Sequence, residues 1–139
     1  NPERPMIEAI RIDEQVAKLV PIKGRGPQTT ETEVSKAFSE LGVGDFLDCA
    51  VYLGSFDGEA GWERHMKGDE LVQVLSGSTA FDIIEGEGLQ TLELEPGMLV
   101  VVPRTCWHRF RSAGGVTLLT ATPRNDEEHI HVDDPRELA

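Results

Sequence analysis

Two imidazoles and two carboxylates stand in two short segments of this chain, at spacings that let one divalent metal ion collect them. Nitrogen and oxygen ligands of this kind suit Fe, Mn, Ni, Zn or Co, and the residue types alone do not choose among these metals. The sequence predicts one such metal, and the alternative is a polar cluster that holds none. The pattern reads, in chain order, Glu63-x-His65-x4-Glu70-x6-Gly77 and then Gly97-x5-Pro103-x4-His108.

The first segment reads as a hairpin. Side chains two residues apart on a strand point to the same face, so Glu63 and His65 project together while Trp62 and Arg64 project to the other side. A glycine and an aspartate follow and favour a reversal of the chain. Glu70 then begins the next strand, which places its carboxylate close to the imidazole of His65.

The second segment supplies His108. An apolar run, Met98–Val102, reads as a buried strand that ends at Pro103. Cys106 lies two residues before His108 and would share its face if this piece is extended. We interpret Cys106 as a small buried hydrophobe, and a ligand or catalytic role is the alternative.

Together the two segments resemble the paired motifs of the cupin superfamily, G-x5-H-x-H-x(3,4)-E-x6-G and G-x5-P-x-G-x2-H-x3-N. The resemblance covers residues 58 to 112, and both halves together make it specific. The matching positions are His65, Glu70, Gly77, Gly97, Pro103 and His108.

Three positions depart from the family pattern. Thr105 replaces a glycine, Ser112 replaces the final asparagine, and Glu63 stands where the first histidine is usual. Glu63 either completes a harder, more anionic set of two histidines and two carboxylates, or turns away from the metal. The predicted metal ligands are therefore Glu63, His65, Glu70 and His108, and no catalytic residue is assigned.

The resemblance implies an all-β fold, a double-stranded β-helix (a jelly-roll cupin barrel) with one short N-terminal helix. Short, turn-bounded segments with a period of two agree with it. We expect a strand and helix segment over 1–42, the barrel over 43–123 and an acidic tail over 124–139. Predicted strands are Met6–Ile12, Gln15–Ile22, Phe46–Phe56, Trp62–His65, Glu70–Ser76, Thr79–Glu85, Leu89–Glu95, Met98–Val102, Trp107–Arg111 and Val116–Thr122.

Outside the motifs the predictions are simpler. The helix is expected within 29–41, capped by Ser35 or a preceding threonine and ended by Gly42. The tail contains a second pair of histidines, His129 and His131, which we interpret as part of an acidic surface segment.

Composition limits the possible partners and location. The chain has 139 residues and a formal net charge of −12, which argues against nucleic acid and against anionic membranes as partners. No apolar run approaches the roughly 18 residues that span a membrane. The two cysteines, without a signal-peptide core, indicate reduced thiols and a cytoplasmic protein.

Two classes of function follow from the resemblance. The first is a metal-dependent enzyme, a small-molecule dioxygenase or an isomerase or lyase, with the metal in the barrel and a homodimeric assembly. The second is a binding module without turnover that holds a sugar or a carboxylate in the barrel. Fold alone does not decide between them.

Overall fold

The computed structural model describes residues 7–138, and it is dominated by β-strands. The expected all-β jelly-roll class is confirmed, with two short helices instead of one. The helices are α1 (Ile12–Val16) and α2 (Glu31–Ala37), and a final 3-10 turn spans Pro135–Leu138. The ten strands are β1 (Ile22–Arg25), β2 (Phe38–Glu40), β3 (Cys49–Glu59), β4 (Trp62–His65), β5 (Glu70–Gly77), β6 (Thr79–Glu85), β7 (Gly88–Leu94), β8 (Leu99–Val102), β9 (Trp107–Pro123) and β10 (Glu127–Ile130).

The long strand β9 joins the two halves of the barrel. Its first part, Trp107–Arg111, pairs with β6, and its second part, Val116–Ala121, pairs with β5. Strand β3 runs antiparallel along the other edge of β9. The sequence predicts two separate strands here because of Gly114 and Gly115, but these glycines bend one continuous strand instead of ending it.

Apolar side chains fill the space between the two halves. Because successive residues point to opposite faces, each strand contributes alternate positions to the interior. Val72 and Val74 on β5 are fully buried, as are Phe81 on β6 and Phe56 on β3. The barrel therefore has a closed hydrophobic core.

The N-terminal predictions were wrong in part. Met6 lies outside the described residues, and Ile12 begins a helix instead of ending a strand. Asp13 and Glu14 lie in the first turn of that helix, where its dipole favours acidic groups. The predicted strand Gln15–Ile22 is also absent, and the chain enters a strand only at Ile22.

Helix α2 begins as the sequence indicates and ends earlier than expected. Thr30 caps it, and its side chain and that of Glu33 accept reciprocal backbone hydrogen bonds in a capping box. The helix ends at Ala37, well before Gly42, because Phe38 is extended and pairs with Gly54 on β3. Tertiary pairing thus overrides the local helical pattern.

The segment 124–139 contains a strand that the sequence did not predict. Strand β10 lies antiparallel to β4, with Glu127 opposite His65 and His129 opposite Glu63. The chain then reaches the outside of the barrel, where the Nε1–H of Trp62 donates to the backbone oxygen of Asp133 at 3.2 Å. Among residues 7–138 no helix is long and apolar enough to cross a membrane.

Candidate metal centre

The structure brings the four predicted ligand residues together inside the barrel. Glu63 and His65 lie on β4, Glu70 begins β5, and His108 lies on β9 directly opposite Glu63. Ligand atoms of Glu63, His65 and His108 all lie within 4.8 Å of one another. Glu70 Oε1 lies 3.6 Å from His65 Nε2 and 3.0 Å from His108 Nε2.

The nitrogen of His108 that faces this cluster is available as a ligand. His108 Nδ1 lies 3.0 Å from the carbonyl oxygen of Cys106, and a carbonyl can only accept, so Nδ1 carries the proton. In the neutral ring, Nε2 then carries a lone pair. That lone pair faces a carboxylate oxygen of Glu70, and two acceptors this close need a positive charge at the contact, either a proton on Nε2 or a metal ion.

Burial of these side chains strengthens the need for a positive charge, because water cannot supply the missing hydrogen bonds. His65 and His108 are 2% and 1% exposed, and Glu70 is 5% exposed. His65 Nε2, His108 Nε2 and Glu70 Oε1 are buried without a hydrogen-bond partner among the described residues. Buried polar atoms in native proteins are nearly always satisfied, so three converging exceptions fit a metal ion well.

The pKa values of these groups show which charges the cluster stabilises. Burial acts to raise the pKa of Glu70, but His108, His65 and the Thr122 hydroxyl lower it to about 2. Thr122 Oγ1 donates to Glu70 Oε2 at 2.7 Å. Burial acts to lower the pKa of His108, and the Glu70 carboxylate outweighs it and raises that pKa. The site is thus built around an ionised carboxylate and retains a cation beside it.

Glu63 lies at the edge of the cluster and has other neighbours. Its Oε1 lies 3.9 Å from Arg25 Nη2 on β1. Glu127 on β10 is close enough that the charge of Glu63, with burial and a hydrogen bond between the two carboxyl groups, raises the pKa of Glu127 to about 7. Glu127 therefore adds a second carboxyl group beside Glu63 at the edge of the cluster.

Sequence reasoning missed Arg25 and Glu127. Arg25 lies between two glycines, which indicated a loop, and Glu127 lies in a run of charges that indicated a solvated tail. Neither position carries a spacing signal toward the motif. Only the pairing of β1 with β3 and of β10 with β4 brings them to the site.

The opposite face of β4 is structural, as the alternation of side chains predicts. Trp62 is 1% exposed, and Arg109 stacks on its ring with 4.5 Å from Cζ to the ring centroid. Arg64 stacks on the Trp107 ring at 4.5 Å and pairs with Glu128 at 2.9 Å. These cations serve ion pairs and stacking on the outside of the barrel.

The other candidate residues of the sequence analysis are Cys106, His129 and His131, and their neighbours indicate structural roles. Cys106 is 7% exposed, and its carbonyl oxygen orients the His108 ring. The rings of His129 and His131 lie 4.7 Å apart. Within residues 7–138, however, Glu63, His65 and His108 form the single cluster of three or more metal-binding side chains.

Thr105 occupies a backbone conformation that suits the glycine of the family pattern. Its φ is +76°, a region that costs a β-branched residue about 1 kcal/mol or more. Its N–H donates to the carbonyl oxygen of His65 at 2.7 Å, so this turn fixes the end of β4. The strain is local and leaves the backbone contact intact.

We therefore expect Thr105→Gly to raise the free energy of unfolding by about 1 kcal/mol, because glycine adopts this φ without strain. Urea unfolding followed by circular dichroism measures the change. Ala113→Gly provides the control, since Ala113 has no positive φ. A loss of stability in Thr105→Gly would contradict the assignment of strain to this turn.

Comparison with known proteins agrees with the geometry. A family model described as a cupin domain matches residues 56–121. No curated protein sequence matches the chain. Among solved structures, protein NMB1881 from Neisseria meningitidis is 21% identical with a TM-score of 0.60, and the match covers 83% of this chain and 99% of that one.

Two further structures are similar. A cupin-2 domain containing protein from Shewanella frigidimarina is 18% identical with a TM-score of 0.58, and the match covers 83% of this chain and 94% of that one. Hydroquinone 1,2-dioxygenase PnpCD, in complex with Cd2+ and 4-hydroxybenzonitrile, is 20% identical with a TM-score of 0.53 and coverages of 67% and 68%. The family-model match over residues 56–121, in a barrel fold that these solved structures share, identifies the chain as a small protein of the cupin superfamily.

Proposed function

We propose that this protein binds one divalent metal ion through His65, Glu70 and His108, with Glu63 as the fourth ligand, and acts on a small molecule in the barrel. The observation that carries the proposal is the convergence of three buried ligand atoms that have no hydrogen-bond partner among residues 7–138. Two nitrogens and carboxylate oxygens suit Fe, Mn, Ni, Zn or Co. The likeness to a dioxygenase solved with Cd2+ supports a metal in this fold.

We propose that the reaction is either the oxygenation of a small substrate or its conversion by an isomerase or lyase reaction. A bound metal of this set supplies a Lewis acid or a centre for O2 chemistry with a chelated substrate. The chain itself supplies the orientation: Cys106 fixes the tautomer of His108, and Thr122 holds the second oxygen of Glu70. Residues packed around the cluster exclude water from both imidazoles.

Metal content tests this proposal. The protein is purified without added metal and without a nickel column, then analysed for metals before and after reconstitution with Fe(II), Mn, Ni, Zn or Co. We expect near one equivalent of one metal, since the buried ligand atoms form a single cluster. If no metal binds after reconstitution, the proposal fails, and the barrel is a ligand-binding module that works without a metal.

We also propose that two copies associate through the outer face of the β5, β8 and β9 strands. On that face Val101 lies opposite Leu71, and Leu71 lies opposite Ala121. Leu99 is 56% exposed and Val101 is 51% exposed, so these two apolar side chains of β8 are open to solvent in one copy. A second copy with the same two side chains would bury both.

Size-exclusion chromatography with multi-angle light scattering tests this assembly. We expect a dimer for the unmodified protein and a monomer for Val101→Glu, because a carboxylate at the centre of an apolar interface is costly to bury. Leu89→Glu is the matched control, since Leu89 is also apolar and 48% exposed but lies on β7. A monomer for the unmodified protein, or a dimer for Val101→Glu, would contradict the proposed interface.

A further inference from the structure

Arg25 carries a positive charge into the barrel beside the candidate metal centre. It ends β1, and its side chain is only 12% exposed. Its Cζ lies 4.6 Å from the centroid of the Phe56 ring and 5.0 Å from that of Phe38. Phe56 belongs to the buried core, so the guanidinium group rests on the aromatic wall of the interior.

This buried cation lacks a close polar partner within residues 7–138. Its nearest ion-pair partner is Glu63 at 3.9 Å, and none of the described residues accepts a hydrogen bond from its guanidinium group. Burial acts to lower the pKa of Arg25, with the charges of Glu63 and Glu127 opposing it. Guanidinium presents five N–H donors, and those of Arg25 make no hydrogen bond to the described residues. None of its nitrogens is among the fully buried side-chain atoms that lack a partner, so a small molecule can reach these donors.

The position of Glu63 links this cation to the metal centre. The same carboxylate lies within 4.8 Å of the ligand atoms of His65 and His108 and 3.9 Å from Arg25. A molecule that accepts hydrogen bonds from Arg25 therefore lies close to the proposed metal site, on the side where Glu63 stands. The aromatic rings beneath Arg25 hold the group in place without competing for its donors.

We propose that Arg25 binds the carboxylate group of a small ligand at the metal centre, which makes a carboxylic acid the class of molecule that this barrel accepts. A planar carboxylate matches the guanidinium fork with two parallel hydrogen bonds. The inference rests on the proposed function, because Glu63, Glu70 and Glu127 repel an anion when no metal offsets them. It names the ligand class, which the metal site alone does not.

Lactate and its neutral amide, lactamide, test this recognition because they share a shape and differ in charge. The protein is loaded with Zn2+, a diamagnetic ion, and the Nε–H signals of its arginines are followed by NMR during titration with either molecule. The Arg25 signal is the one that R25Q and R25K lose. We expect it to shift and saturate with lactate, at a dissociation constant at least ten-fold lower than for lactamide.

Calorimetric titration of the variants assigns the effect to Arg25. R25Q should lose the preference for lactate, and R25K should retain only part of it, since lysine keeps the charge but lacks the fork. R25K also carries the test if R25Q does not fold. R64Q is the matched control, because Arg64 also stacks on an aromatic ring and has a carboxylate partner, Glu128, but lies on the outer face. It should bind lactate as the unmodified protein does.

Zinc content, measured in the same samples, distinguishes a failure of metal binding from a failure of carboxylate recognition by Arg25. Protein that binds Zn2+ but treats lactate and lactamide alike overturns the role of Arg25 and leaves the metal site standing. A preference for lactate that survives in R25Q overturns it as well. Protein that binds neither Zn2+ nor Fe(II), Mn, Ni or Co after reconstitution overturns the proposed function and this inference together. Protein that takes up one of the other four metals instead is titrated by calorimetry in that form, with the same expected preference for lactate.

Discussion

His108→Ala protein is expected to hold less than about a tenth of an equivalent of metal after reconstitution and dialysis, and His65→Ala protein should behave in the same way. Each substitution removes one of the two buried nitrogens that face Glu70, and the remaining ligands bind at least about 100-fold more weakly. Elemental analysis against protein concentration measures the loss.

Two further variants show whether the loss of metal is specific to the buried histidines. His131→Ala removes a histidine that is exposed and lies outside the cluster, so its metal content should match that of the unmodified protein. Glu63→Gln should retain close to one equivalent at saturating metal with a weaker affinity, because three buried ligands remain.

The fold should survive the loss of metal. The hydrophobic core of the barrel does not include the ligands, so His108→Ala protein should keep its β circular dichroism spectrum. Unfolding of the variant on loss of metal would instead mark the site as structural. Retention of stoichiometric metal by His108→Ala would contradict the proposed ligand set.

Gly77→Ala is expected to lower the free energy of unfolding by about 3 kcal/mol or more, the largest stability effect that we predict for one methyl group. Gly77 has a φ of +72°, and a Cβ there would lie 2.1 Å from the carbonyl oxygen of Gly115. Backbone strain adds to this clash, and the clashing atom is itself backbone, so strands β5 and β9 must separate locally.

Gly97→Ala is the matched comparison for Gly77→Ala. Gly97 has a φ of +88°, but nothing lies within 4 Å of a Cβ at that position. Only the backbone strain remains, and we expect a cost of about 1 kcal/mol. Urea unfolding followed by tryptophan fluorescence measures both variants. Equal costs would show that the close approach of β5 and β9 relaxes at little expense.

The sequence predicted the central part of the fold well because its signals there are local. Strands Trp62–His65 and Thr79–Glu85 have the predicted bounds, and the period of two places Glu63 and Trp62 on opposite faces as expected. Turn glycines and Pro103 delimit the segments that carry the four proposed ligands. The proximity of these four side chains was predictable from a motif whose two halves each specify a strand end.

The two ends of the chain could not be predicted in the same way. Strand β1 contains Gly24 and precedes Pro27, and β10 is a run of charges, so neither carries a strand pattern. Each forms because a barrel strand offers it an edge, β3 for β1 and β4 for β10. Such pairing depends on the finished barrel and leaves no periodic trace in the sequence.

Strands β1 and β10 lie outside residues 56–121, the part that matches the cupin domain, while all four proposed ligands lie inside it. Arg25 and Glu127, which lie beside the proposed metal site, thus come from the two stretches of chain that border the shared barrel. Under the two proposals above, reactivity and choice of ligand are encoded in separate parts of the chain. They predict that exchanging only the termini between barrels of this kind alters which molecule is accepted while the metal chemistry stays the same.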